Sequence, residues 1–196
     1  MNKKVYIEAG ALDGVGGSRS LQYKNDENYF GILVEPTKDQ YDACVSNRSN
    51  SNTAIYNCAL VPLDYPHTEV RMKLSTTHPG MNTCEIVDIS NLVTHTYSNE
   101  YAAKARTLQS ILDEHNIQEI EMFFLDVEGA EKSVIDGLDS NKTTIKFLEI
   151  ELHHWRVMTL EAEIKMHEDN LQKFNMKLDQ MIECSGGYKL YFKRVK

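Results

Sequence analysis

The sequence predicts an α/β fold: a mainly parallel sheet flanked by helices, with an antiparallel hairpin at its C-terminal end. Three observations predict it. Short apolar runs rich in β-formers alternate with stretches whose apolar positions repeat at helical spacing. The first run, Val5-Tyr6-Ile7, leads into a turn with four glycines in eight residues, Gly10, Gly14, Gly16 and Gly17. Later runs finish on acids, namely Glu35, Asp126 and the pair Glu149 and Glu151, and parallel strands place all such ends on one edge.

Taken in order, Val5–Ile7 favours a buried strand. The glycines behind it supply φ > 0 and let backbone approach a ligand, and Ser18 offers an N-cap for a helix carrying Leu21. The spacing is not GxGxxG, nor a P-loop, because no Gly-Lys-Ser/Thr follows. Gly31–Glu35 is a second strand, stopped by Pro36. Thr37 and Gln40 form a capping box for a helix whose apolar face carries Tyr41, Cys44 and Val45. Ala54–Val61 reads as a third strand, and right-handed crossovers return all three to one sheet.

Between Pro62 and Arg106 the pattern is irregular. Val70–Leu74 and Cys84–Ile89 are extended candidates around the polar turn Thr76–Asn82, in which His78 offers a polar contact and Pro79-Gly80 shapes the bend. This predicts an inserted hairpin or lid within 62–106 of a single domain spanning 1–196. An irregular approach then leads to a helix, Leu108–His115. Glu121–Asp126 is a fourth strand, and Glu128–Glu131 opens a helix with Val134, Ile135 and Leu138 on one face. Ile145–Leu152 is a fifth strand and Thr159–Lys173 a helix. Asn175–Cys184 and Tyr188–Val195, split by Ser185-Gly186-Gly187, form the closing hairpin.

A formal net charge of −8 over 196 residues argues against nonspecific nucleic-acid binding and against attraction to anionic membrane. The four cysteines, Cys44, Cys58, Cys84 and Cys184, form no CxxC pair and read as reduced thiols. The N-terminal segment lacks an apolar stretch of signal-peptide length, and no run approaches the ~20 residues of a transmembrane helix. The expected setting is cytoplasmic, with no nucleic-acid or membrane partner and the oligomeric state left open.

An acid ending a strand beside a glycine turn can accept hydrogen bonds from both hydroxyls of a ribose, and Glu35 stands there. Asp126, Glu128, Glu131, Glu151, His153 and His154 gather toward the same edge. Oxygen and imidazole donors suit magnesium, manganese or another divalent cation, with Asp126, Glu128 and Glu151 the candidate ligands. A carboxylate or His153 serves instead as a general base for a substrate hydroxyl. A plainer reading stands beside both: Glu128 or Glu131 favours the positive end of the helix behind it.

At these residues the chain resembles the FkbM-type methyltransferases. Ile7–Ser18, IEAGALDGVGGS, is similar to that family's IDxGANDGxxxS segment, and Val34-Glu35-Pro36 to its V/I-E-P. Asn47-Arg48 matches the N-R of one branch, and Thr107-Leu108 with Ile111-Leu112 resembles its T-L helix start. Leu125–Glu131, LDVEGAE, fits its I-D-V-E-G-A-E, and Ile150-Glu151 resembles the end of its fifth strand. The matches run in order from Val5 to Leu152.

The resemblance implies a class I, Rossmann-like methyltransferase fold, S-adenosylmethionine as donor, and a hydroxyl oxygen on a saccharide or small metabolite as acceptor. On that basis Gly10, Asp13 and Gly14 line the methionine part of the cofactor, and Glu8 stands at the family's first-strand acid. Glu35 holds the ribose, Pro36 borders the adenine, and Cys58 and Ala59 approach it from the other side. Asp126 lies beside the methyl-bearing sulfonium. Asp126, Glu128, Glu151 and His153 are the catalytic candidates at the acceptor. Leu12 departs from the family's Asn and Glu8 from its Asp. Two other functions compete: a non-catalytic module binding cofactor or sugar, and an NAD-dependent oxidoreductase, against which the missing GxGxxG and the DVEGAE segment both count.

Overall fold

A computed structural model describes residues 3–50, 52–75, 82–87, 97–154 and 158–195, apart from the side chains of 97–99. In chain order the elements are β1 (Lys4–Ala9), β2 (Tyr29–Val34), α1 (Lys38–Arg48), β3 (Thr53–Tyr56), β4 (Ala59–Leu60), β5 (Glu69–Ser75), β6 (Thr83–Cys84) and β7 (Tyr97–Arg106). They continue with α2 (Leu108–Glu114), β8 (Glu119–Leu125), α3 (Glu131–Asp136), β9 (Thr144–His153), α4 (Leu160–Leu171), β10 (Met176–Cys184) and β11 (Gly187–Arg194).

The main sheet has the order β10-β11-β9-β8-β1-β2-β3. Its five strands from β9 to β3 are parallel, and β11 and β10 return antiparallel as the expected hairpin. One face buries Ile7, Ile32, Phe123, Leu148 and Ile150 against Leu108, Ile111, Leu112, Val134, Ile135 and Leu171 of α2, α3 and α4. The other buries Tyr6, Ala11 and Leu33 with Cys44 of α1. Covering both faces is what a parallel sheet requires. No helix among the described residues is long and apolar enough to cross a membrane.

A second sheet, β4-β7-β5-β6, is built from the stretch that is irregular in sequence. Strands β5 and β7 pair antiparallel from Glu69↔Lys104 to Ser75↔Tyr97. Val70, Met72, Cys84 and Ala103 form its small core with Ala59 and with Ala130, which lies between β8 and α3. The approach to α2 is therefore a regular strand, β7. Most of the polar turn, 76–81 with His78, Pro79 and Gly80, lies outside the described residues, as do 88–89 of the second extended candidate and 155–157.

Three local expectations give way. Ala54–Val61 is two strands, β3 and β4, because the Asn57 side-chain amide donates to the carbonyls of Glu35 and Pro36, both at 2.9 Å, and breaks the run. The helix after Ser18 is only a 3-10 turn, Leu21–Tyr23, since the Ser18 and Ser20 hydroxyls donate to Glu8. Thr37 is the N-cap of α1 but makes no side-chain capping bond; its hydroxyl accepts from the Asn82 amide at 3.2 Å and from the Tyr101 hydroxyl at 3.4 Å.

Candidate functional site

The glycine-rich turn is shaped by two buried charges. Glu8, 5% exposed, turns its carboxylate into the turn and accepts from Ser18 Oγ at 2.7 Å, the Arg19 amide at 2.7 Å and Ser20 Oγ at 2.6 Å. Arg48, at the end of α1, is fully buried. Its guanidinium donates to the Gly14 carbonyl at 2.7 Å and to the hydroxyls of Ser18 and Ser20, each at 2.9 Å. Gly14 has φ +76°, and a Cβ there would meet Arg48 Cγ at 2.5 Å, so Gly14 is a packing contact with α1. Asp13 accepts from the amides of Val15 and Gly16 at 2.9 and 2.7 Å, and these bonds hold its carboxyl below the usual range. Glu8, Asp13 and Gly14, three of the expected cofactor residues, thus build the turn's shape.

Gly10 is where the turn meets a cavity. Its φ is +83°, and a Cβ would lie 1.8 Å from the Asp126 carbonyl oxygen. Only glycine lets the ends of β1 and β8 close up this far. The cavity, which opens to solvent with about 700 Å³ of empty space, brings Gly10, Glu35, Pro36, Cys58, Ala59 and Asp126 together, with Leu12, Thr83 and Glu128 also on its wall. Glu35, 2% exposed, accepts from the Thr37 amide at 2.7 Å and the Leu12 amide at 3.0 Å. Burial raises its pKa against the lowering pull of those amides. Burial also pushes the Cys58 thiol up to about 12, so it is neutral at the cavity wall. Leu12 has φ 47°, the left-handed region that asparagine tolerates better than leucine.

Two acids of the cavity wall, Asp126 and Glu128 from the loop after β8, are met by His153 from β9. Its Nε2 is 3.2 Å from Asp126 Oδ1 and 3.5 Å from Glu128 Oε1. Burial alone would lower its pKa, but the hydrogen bond it donates to Asp126 and the charges of Glu128, Asp126 and Glu131 outweigh it and raise it to about 9. The two carboxylates beside it therefore favour the protonated imidazole. Glu128 sits at φ 54°. Glu131, fully buried, accepts from the amides of Gly129 and Val127 at 3.0 and 3.3 Å. Its place is at the start of α3, as the helix-end reading expects.

Glu151, expected beside Glu128, is held elsewhere. Lys189 from β11 lies 3.2 Å from it, and Glu149 pairs with Arg19 at 2.7 Å. Glu149 and Glu151 line a second cavity of about 460 Å³ that shares Gly10, Leu12 and Asp126 with the first. His154 is exposed and packs edge-on against Tyr188. Arg48, which ties down the glycine turn, and Thr83, on the cavity wall, are the residues that sequence reasoning misses. Arg48 had a signal, the Asn47-Arg48 match, without a role. Thr83 had none, because its contact with the Glu128 carbonyl spans the main and small sheets.

Comparison with known proteins follows this geometry. No curated protein matches the chain. The structure of methyltransferase FkbM from Methylobacillus flagellatus KT superposes with a TM-score of 0.57 at 14% identity, over 97% of this chain and 44% of that one. This chain thus spans under half of that protein's length. A precorrin-6y C5,15-methyltransferase from Geobacter metallireducens GS-15 gives 0.51 at 9% identity over 98% and 80% of the two chains. Fibrillarin from Aeropyrum pernix, determined with natively bound S-adenosyl-L-methionine, gives 0.50 at 7% over 97% and 66%. These likenesses show the fold of class I methyltransferases. Residues 8–189 match the model of the methyltransferase FkbM domain, and the chain therefore belongs to that S-adenosylmethionine-dependent methyltransferase family.

Proposed function

We propose that this chain methylates a hydroxyl oxygen on a saccharide or small metabolite, with S-adenosylmethionine as donor. One observation carries the reading: a single cavity is lined by Glu35 and by Asp126 and Glu128, the two acids that His153 contacts. The residues present suit the donor. Glu35 is a buried acceptor for ribose hydroxyls, the neutral Cys58 with Ala59 and Leu60 offers an apolar wall for a base, and Gly10 lets the ends of β1 and β8 close together at the cavity wall. When bound, S-adenosylmethionine supplies a methyl group on a positively charged sulfur, already activated for transfer.

The protein's part is alignment and proton removal. Glu35 fixes the nucleoside end. Asp126 and Glu128 present carboxylates where the acceptor hydroxyl must lie, and Glu128 Oε1 receives its proton. His153, protonated, lets the two acids share this space without repelling each other. A divalent cation is the second reading, because ligand atoms of Asp126, Glu128 and His153 lie within 4.8 Å of one another. Glu151, bound to Lys189, leaves that ligand set. The raised pKa of His153 favours a proton in this position.

The test is the formation of S-adenosylhomocysteine with a panel of saccharides and small hydroxylated metabolites. Glu128→Gln is expected to lower turnover tenfold or more, about 1.4 kcal/mol in barrier, with cofactor affinity nearly intact. Turnover insensitive to chelator supports the protein base, and loss restored by magnesium or manganese supports the cation. Binding of S-adenosylmethionine without turnover on any acceptor would leave a non-catalytic module.

A further inference from the structure

We propose that Thr83 is a positioning residue for the acceptor site: its hydroxyl, donated to the Glu128 carbonyl, holds Glu128 in the left-handed conformation that turns its carboxylate toward His153. The inference rests on the function proposed above and assigns a task to the small sheet within it.

Glu128 has φ 54° and Gly129 has φ 107°. Glycine adopts that backbone freely, but glutamate does so only at a cost the surroundings must offset. The amides of this loop are held from one side by the Glu131 carboxylate, which takes the N–H groups of Val127 and Gly129. The Glu128 carbonyl is held from the other side by Thr83 Oγ1 at 3.2 Å. Thr83 is 2% exposed, so solvent does not compete for its hydroxyl.

Its own position is well fixed. Strand β6 pairs with β5 through Lys73↔Thr83 and Met72↔Cys84, and Cys84 packs in the same small core as Ala130. The preceding Asn82 accepts from the Ser75 amide at 3.0 Å and donates to Thr37 at 3.2 Å, beside Glu35. Strand β6 and the residue before it therefore reach two sides of the cavity, Thr37 beside Glu35 through Asn82 and the Glu128 carbonyl through Thr83. A threonine that merely filled space would not place its hydroxyl on the carbonyl of a residue with φ 54°.

The experiment compares Thr83→Val, which keeps the shape and removes the hydroxyl, with Thr83→Ser, which keeps the hydroxyl. Thr83→Ala serves as a second hydroxyl-free variant if valine impairs folding. Carbon chemical shifts of Glu128 in labelled protein report its backbone conformation without any substrate. S-adenosylhomocysteine affinity is read by calorimetry, and turnover on the acceptor found in the panel. We expect the Glu128 shifts to leave the left-handed range in the hydroxyl-free variants and stay in Thr83→Ser. Turnover should fall about tenfold or more without the hydroxyl, affinity should stay within about twofold, and serine should restore most of the rate. Unchanged Glu128 shifts in a folded hydroxyl-free variant would overturn the proposal. So would affinity falling as far as turnover, or serine behaving like valine. If wild-type protein methylates nothing, the proposed function fails, while the Glu128 shifts still decide whether Thr83 holds that backbone.

Discussion

Arg48 is the residue whose loss the fold should feel most, although it touches no part of the cavity. Its guanidinium makes three short bonds, to the Gly14 carbonyl and the Ser18 and Ser20 hydroxyls. Longer contacts reach Tyr6 Oη at 3.3 Å and the Ser20 carbonyl at 3.4 Å. Its Nη1 lies 3.9 Å from Glu8 Oε2. Each short bond to a charged donor contributes about 1.5–3 kcal/mol, and burying the guanidinium takes back part of the sum. Arg48→Met removes the bonds and leaves the Glu8 carboxylate buried without its counter-charge. Breaking one side of a buried pair costs about 3–5 kcal/mol, and that is the loss expected in urea unfolding followed by circular dichroism. Arg48→Lys keeps the charge but not the fork and should lose about 2 kcal/mol. With Glu8→Gln in the same chain the losses should add to less than their sum, with a coupling of about 1 kcal/mol or more. Affinity for S-adenosylhomocysteine should fall in both Arg48 variants as the turn loosens. An Arg48→Met protein within about 1 kcal/mol of wild type, or no coupling to Glu8, would refute the clamp.

Three further outcomes follow from the site. Leu12→Asn relieves a left-handed leucine and should raise the unfolding free energy by about 0.5–1 kcal/mol; an unchanged or lower melting temperature counts against that strain. The His153 pKa is raised from 6.5 to about 9, so its contribution to stability is fully present below about pH 6.5 and is lost as pH rises through about 9. The stability difference between wild type and His153→Gln should shrink across that window, and a difference constant with pH would contradict the ion pairs. Glu35→Ala should weaken S-adenosylhomocysteine binding by roughly 1.5–3 kcal/mol by calorimetry, and equal affinity would remove Glu35 from the ribose.

That the strands lie parallel in one sheet was readable because buried parallel strands are continuous apolar runs and their crossovers have one hand. Glu35, Gly10 and Asp126 were readable for the same reason: a strand end fixes where its next residue must stand. What failed depended on partners distant in sequence. Glu151 looked like a neighbour of Glu128 until Lys189, on a strand that arrives later, took it. The helix expected after Ser18 lost its capping group to Glu8. Arg48 stood in the sequence only as part of the Asn47-Arg48 match, and the folded turn shows why it is buried. In the stretch from Pro62 to Arg106, β5 and β7 pair across a long connection, which no local pattern announces.

The sheet order has a consequence for how the chain is made. Strand β1 is synthesised first yet ends up in the interior of the sheet, with Tyr6 beside Gly31 on one side and beside Met122 on the other. At a ribosomal rate of about 5–20 residues per second, on the order of ten seconds separate β1 from the strand that closes over its second edge. Until then β1 and the ends of the glycine turn offer an unpaired edge to any extended segment nearby. The half that carries Glu8, Glu35 and Arg48 cannot complete its own sheet, so a nascent chain truncated before Glu119 should be a substrate for chaperones and a seed for aggregation. Pairing of β8 with β1 is also what brings Gly10 against the Asp126 carbonyl, so the interior of the sheet and one wall of the cavity rest on the same contact.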